Sequence, residues 1–160
     1  MRNPKRVTWN ESASGADNAR RHLPAIVAAY FAQGRELLAG KMKPSDLNGL
    51  RRSTGRLRYT IELFRSCYGP GLRARIAMLQ RIQQVLGEVN DCAAAARMLA
   101  DYSKKNSPQR ERLSRFLEQR NMERIAEFRR IWMQEFDAPG QERAWSVYLA
   151  RHTRRAVRQR

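Results

Sequence analysis

Two cysteines, two histidines and 15 carboxylates are all that this chain offers as ordinary raw material for catalysis or metal binding. Cys67 and Cys92 have no metal-ligand spacing, and both fall inside helical patterns. They are expected to be buried, reduced thiols, as in a cytosolic protein. His22 and His152 both stand among arginines, where a surface role fits better than general acid and base work. Glycine is sparse, and Gly69-Pro70-Gly71 has neither the preceding strand nor the lysine of a phosphate loop. No apolar run approaches the roughly 18 residues of a membrane span. The stretch from Met1 to Trp9 lacks the apolar segment of a secretion signal. These shortages predict a soluble, cytoplasmic protein that is not an enzyme, holds no metal or cofactor, and has no membrane partner.

What the chain has in excess is positive charge. Lys and Arg total 32 against 15 Asp and Glu, a net charge of +17. Such a field repels itself and draws in polyanions, nucleic acid and phosphate polymers among them. Most of the cations are arginine, whose planar fork matches phosphate oxygens and stays charged at any physiological pH.

The apolar residues recur at helical spacing nearly throughout. Residues 1–15 are polar and aperiodic and are expected to form a mobile arm. Leu23, Val27, Tyr30, Gly34 and Leu37 mark a first helix from about Asp17 to Gly40, with Pro24 near its start. Pro44 and Ser45 open a second, whose line is Leu47, Leu50, Thr54, Leu57, Ile61, Phe64 and Tyr68, closed by Gly69-Pro70-Gly71. A third runs from Leu72 to Lys104 through Ile76, Leu79, Ile82, Leu86, Val89, Ala93 and Ala96. Ser107 and Pro108 begin a fourth, with Leu113, Leu117, Ile125, Phe128, Trp132 and Phe136, and Ala138-Pro139-Gly140 ends it. Trp145, Tyr148 and Leu149 mark a short fifth, and residues 151–160 form a basic tail. The prediction is an all-α, up-and-down bundle of four to five helices over residues 16–150.

Glu88 and Asp91, one turn apart on the third helix, are expected to tie down arginines on a neighbouring helix rather than hold a cation. On the second helix, 100° per residue places Arg51, Arg58 and Arg65 on one stripe beside the core seam. Asn48, Gly55 and Glu62 lie next to it, farther from the core, while Arg52 and Arg56 fall on other sides. Arginines seven residues apart repeat every ~10.5 Å, a spacing that suits a chain of phosphates; a solvated flank is the bland alternative.

The run Leu47-Asn-Gly-Leu-Arg-Arg-Ser-Thr-Gly-Arg-Leu-Arg-Tyr-Thr-Ile-Glu-Leu-Phe64, followed by Leu86-Gly-Glu-Val-Asn-Asp91, resembles the conserved histidine α-helical domain, CHAD. Arg51, Arg56, Leu57, Arg58 and Tyr59 match its first helical pattern, and Leu86, Gly87, Asn90 and Asp91 its second, over roughly residues 20 to 135. The resemblance implies an all-helical domain that binds inorganic polyphosphate through basic helix faces and can bring proteins to polyphosphate granules. Asn48 stands at the namesake histidine position and Gly55 at a basic one, which directs expectation also to Arg52, Arg75 and Arg81. The expected binding set is therefore Arg51, Arg58 and Arg65, with Arg52, Arg56, Asn48, Arg75 and Arg81 in support. Family members usually carry two helical units, so this chain is expected to be half of a two-unit bundle that pairs as a homodimer. The rival readings are a nucleic-acid-binding or nucleoid-associated protein, and an interaction scaffold without phosphate binding.

Overall fold

The computed structural model describes residues 8–102 and 107–151. Five α-helices account for most of them: α1 (Gly15–Ala39), α2 (Pro44–Leu63), α3 (Gly71–Tyr102), α4 (Pro108–Ile131) and α5 (Gln141–Arg151). No strand occurs among the described residues. The expected all-α bundle is what the sequence builds. Helix α2 packs between α1 and α3, α4 runs back along α3, and α5 closes onto α1.

The helix starts follow from their capping chemistry. Ser14 Oγ accepts the Asp17 amide at 3.1 Å, and Ser107 Oγ accepts that of Arg110 at 3.2 Å, each relieving an unpaired first-turn N–H. Helix α2 begins with Pro44, whose missing N–H costs nothing at a first turn. Pro24 is carried inside α1.

Two helix ends differ from expectation. Helix α2 stops at Leu63, and the chain makes a 3-10 turn over Arg65–Cys67 before Gly69-Pro70-Gly71. That turn delivers Tyr68 into the interior, where its hydroxyl donates to the Leu149 carbonyl at 3.0 Å. Tyr148 answers by donating to the Gly69 carbonyl at 3.0 Å, and the two rings stack at 5.8 Å. Helix α4 ends at Ile131 and gives way to a π-helical turn, Trp132–Phe136, in which the Asp137 amide donates to the Trp132 carbonyl at 2.7 Å. The wider turn lets Trp132 and Phe136 both reach the core while Glu135 stays at the surface, paired to Arg81 and Arg130.

Trp132 is the largest fully buried side chain, ringed by Tyr30, Phe31, Phe128 and Phe136 at centroid distances of 4.8–6.4 Å. Gly34 makes room for it: a Cβ there would fall 1.9 Å from the indole. Tyr30 and Thr54 join α1 to α2 by a buried 2.7 Å bond. Since Thr54 Oγ1 donates to the Leu50 carbonyl, Tyr30 is the donor, and burial pushes its phenol pKa well up, keeping that proton in place.

Two further features were not expected from the sequence. The described part of the arm, residues 8–14, is held against the bundle: the Asn10 amide donates to the buried Asn18 side chain at 2.9 Å, and Asn18 Nδ2 donates back to the Asn10 carbonyl. Trp9 stacks on Phe64 at 5.5 Å and meets His22 edge-on at 5.1 Å. The apolar line expected on α4 fills the core only from Phe128 onward; Leu113 is 46% exposed, and Ala96 on α3 is exposed too. Both cysteines are free thiols, Cys92 buried and Cys67 half-buried. Residues 1–7, the end of the third helix near Lys104, and the tail from His152 lie outside the described residues.

Candidate functional site

Helix α2 has three kinds of surface, because neighbours flank it on two sides. Leu47, Leu50, Thr54, Leu57 and Ile61 fill the core. Between Leu47 and Leu63 only Arg52, Arg56, Tyr59 and Leu63 are exposed, and they form a single outward stripe at helical spacing. The flank toward α3 carries Asn48, Arg51, Gly55, Arg58 and Glu62.

That flank meets a polar line on α3 whose members recur every seven residues: Gln83, Asn90 and Arg97. The helices run antiparallel, so Arg58 Nε donates to Gln83 Oε1 at 3.1 Å, while Asn48 and Ser45 face Asn90 and Arg97 across a cleft of about 190 Å³. Gly55 lies between, buried, where α2 comes closest to Gln83; a Cβ would sit 3.2 Å from Gln83 Nε2. Its expected place farther from the core than the arginines is thus corrected. The nearest atom to a Cβ at Gly55 is the far end of the Gln83 side chain, so a larger residue there would require Gln83 to shift.

The expected binding residues separate into distinct roles. Arg51 Nε donates to Asn48 Oδ1 at 3.1 Å, which leaves Nη1 and Nη2 without a partner among the described residues. Arg58 is restrained on three sides, by Gln83, by Glu62 Oε1 at 2.9 Å and by the Tyr59 ring at 4.3 Å. Only 15% of its side chain is exposed. Arg52 is exposed and outward, and Arg56 donates to Ser53 Oγ at 3.0 Å on the same outer side. Arg65 is exposed on the 3-10 turn, so the seven-residue repeat does not carry it onto the α2 flank; the helix ends two residues before it.

Arg75 and Arg81 lie on α3, away from the α2 flank, and each has partners on other elements. Arg75 lies over the Tyr148 ring at 3.9 Å, donates to the Gly71 and Ala144 carbonyls, and has its pKa pulled down by burial; it fastens α3 to α5. Arg81 pairs with Glu135 at 2.5 Å, a carboxylate it shares with Arg130. Of the two carboxylates expected to tie down arginines, Glu88 does so, with Arg124 Nε on α4 at 3.1 Å, whereas Asp91 is exposed and holds no arginine among the described residues. No cluster of three metal-ligating side chains occurs among the described residues.

Arg97 was not among the expected binding residues. The signal was the heptad interval of Gln83, Asn90 and Arg97, a polar stripe where a core seam would otherwise continue. A larger cavity of about 350 Å³ lies between Arg35, Leu38, Arg129, Trp132 and Asp137, but Arg35 is already held by Asp137 and Glu142. Its cation is committed to joining α1 to the α4–α5 connection.

With this geometry in place, the comparisons give one match. A family model described as CHAD domain covers residues 4–100, more than half of the chain. It begins earlier than the motif resemblance and stops inside α3, short of α4 and α5. No curated protein and no solved structure matches the chain.

Proposed function

The chain belongs to the CHAD domain family, and from that membership we propose that it binds inorganic polyphosphate along the α2/α3 groove. The observation that carries the reading is the run of cations along that groove: Arg51, bonded through Nε to Asn48 with its outer nitrogens open, and Arg97, which lines the Asn48–Asn90 cleft. Arg58 extends the track by two helical turns, about 10.5 Å. The groove binds by charge-assisted hydrogen bonds and makes or breaks no bond in the polymer. Such a protein would work in the cytoplasm and carry an attached or recruited partner to polyphosphate granules. Among the described residues no helix is long and apolar enough to cross a membrane.

Binding should weaken steeply between low and moderate salt and should not require a divalent metal, because contacts to several phosphates release condensed counterions. A fluorescence titration with polyphosphate at several salt concentrations, with and without chelator, measures both. Affinity flat in salt, or equal affinity for double-stranded DNA of the same charge, would overturn the reading.

Glu62 sits against Arg58 and offsets its charge. Glu62→Gln should therefore tighten polyphosphate binding about twofold, the scale of one partly exposed helical ion pair. Unchanged or weaker binding by the variant would show that Arg58 does not face the polymer.

A further inference from the structure

The outward stripe of α2 has no role in the groove just described. Its four members, Arg52, Arg56, Tyr59 and Leu63, follow each other at intervals of four, three and four residues, so they share one face. Leu63 is 80% exposed and Tyr59 59% exposed, on a helix that is otherwise well covered. Arg58 lies over one face of the Tyr59 ring, which leaves the other open. The stripe is also ordered: cations occupy its N-terminal half and the π face and leucine its C-terminal half.

An ordered stripe of this kind is complementary to itself when reversed. If two copies are laid antiparallel about a two-fold axis passing between Leu57 and Arg58, Arg56 of each meets Tyr59 of the other. Arg52 then meets Leu63. Each contact occurs twice, as a closed isologous pairing demands. The guanidinium finds an aromatic face, and the Arg52 stem covers a leucine that the monomer leaves in water. We infer that a second copy of this chain docks on the outward face of α2 in this antiparallel register.

The arrangement sets its own salt response. The two Arg56 side chains approach near the axis, and each chain brings +17, so repulsion opposes pairing at low ionic strength. Screening relieves it, since the Debye length falls to about 3 Å at 1 M salt. Pairing therefore tightens with salt, the opposite of polyanion binding. It also stands apart from the polyphosphate reading and is tested without polymer.

Sedimentation equilibrium over a range of protein concentrations, at low and high salt, is the experiment, with circular-dichroism melting as a check that each variant is folded. The expected result at high salt is a mass rising with concentration from 18.6 kDa toward twice that value. Leu63→Arg should abolish the rise by facing Arg52, whereas Leu63→Glu should keep it by forming an ion pair with Arg52. Adding Arg52→Glu to Leu63→Arg should restore it. A wild-type mass fixed at 18.6 kDa overturns the inference. So does identical behaviour of the two Leu63 variants, because a face that takes no part in pairing would not distinguish them; failure of Arg52→Glu to restore the Leu63→Arg variant would overturn the antiparallel register.

Discussion

Gly34→Ala should destabilise the domain by about 3 kcal/mol, the upper part of the range for an overfilled core. For a chain of this size that corresponds to a fall in Tm of roughly 6–12 °C. The added methyl would lie 1.9 Å from Trp132 Cζ2 and 2.2 Å from Cη2. Neither can move cheaply, because the indole is fully buried against Tyr30, Phe31, Phe128 and Phe136. Alanine's better helix propensity returns only ~1 kcal/mol. Trp132→Leu in the Gly34→Ala background should recover part of the loss, since two residues that collide do not contribute additively. Thermal melts of the two single variants and the double variant measure the effect. A fall of less than a couple of degrees for Gly34→Ala would mean that the α1 contact with the π-helical turn is loose.

The second large effect is on binding. Replacing both Arg51 and Arg97 with alanine should weaken polyphosphate binding by about a hundredfold, if each forms a charge-assisted bond worth about 1.5 kcal/mol. The melting temperature should scarcely change, because Arg97 is exposed and Arg51 is bonded only to Asn48. Leu57→Ala should do the reverse, leaving a cavity that costs roughly 2–5 kcal/mol. Arg58→Ala is expected between the two, since its side chain also holds Gln83 and Glu62. Titration and melting on the same preparations separate the cases. Affinity within twofold of wild type for the Arg51/Arg97 double variant would remove the groove from consideration as the binding site.

The helices were legible because their signals are local. Ser107 and Pro108 cap and open a helix by contacts within one turn, and the Leu47 to Ile61 line has the period of a buried face. What could not be read was set by distant residues. The end of α2 depends on Tyr68 reaching Leu149, 81 positions away. The π-helical turn answers to Gly34 and to Glu135 with its arginines, none of which marks a π-turn in sequence. The binding set shows the same division. Arg51 and Arg58 were placed beside the seam by helical geometry alone, and they do face α3 there. Arg75 and Arg81 look equally free in sequence, yet a ring on α5 and a carboxylate on the π-turn have claimed them. Gly55 reads as a missing cation on an outer flank, yet it is buried beside Gln83 of α3.

The reciprocal tyrosines also bear on where this domain can be cut. Tyr68 and Tyr148 clasp the turn before α3 to the last described helix, and Arg75 lies against the same ring. A fragment ending at residue 100, where the family match stops, would lose that clasp together with Trp132, Phe136 and Trp145 from the core. The stretch by which the chain is recognised is therefore shorter than the stretch it needs in order to fold. Boundaries chosen for recombinant fragments, or for grafting the groove onto another protein, belong after α5.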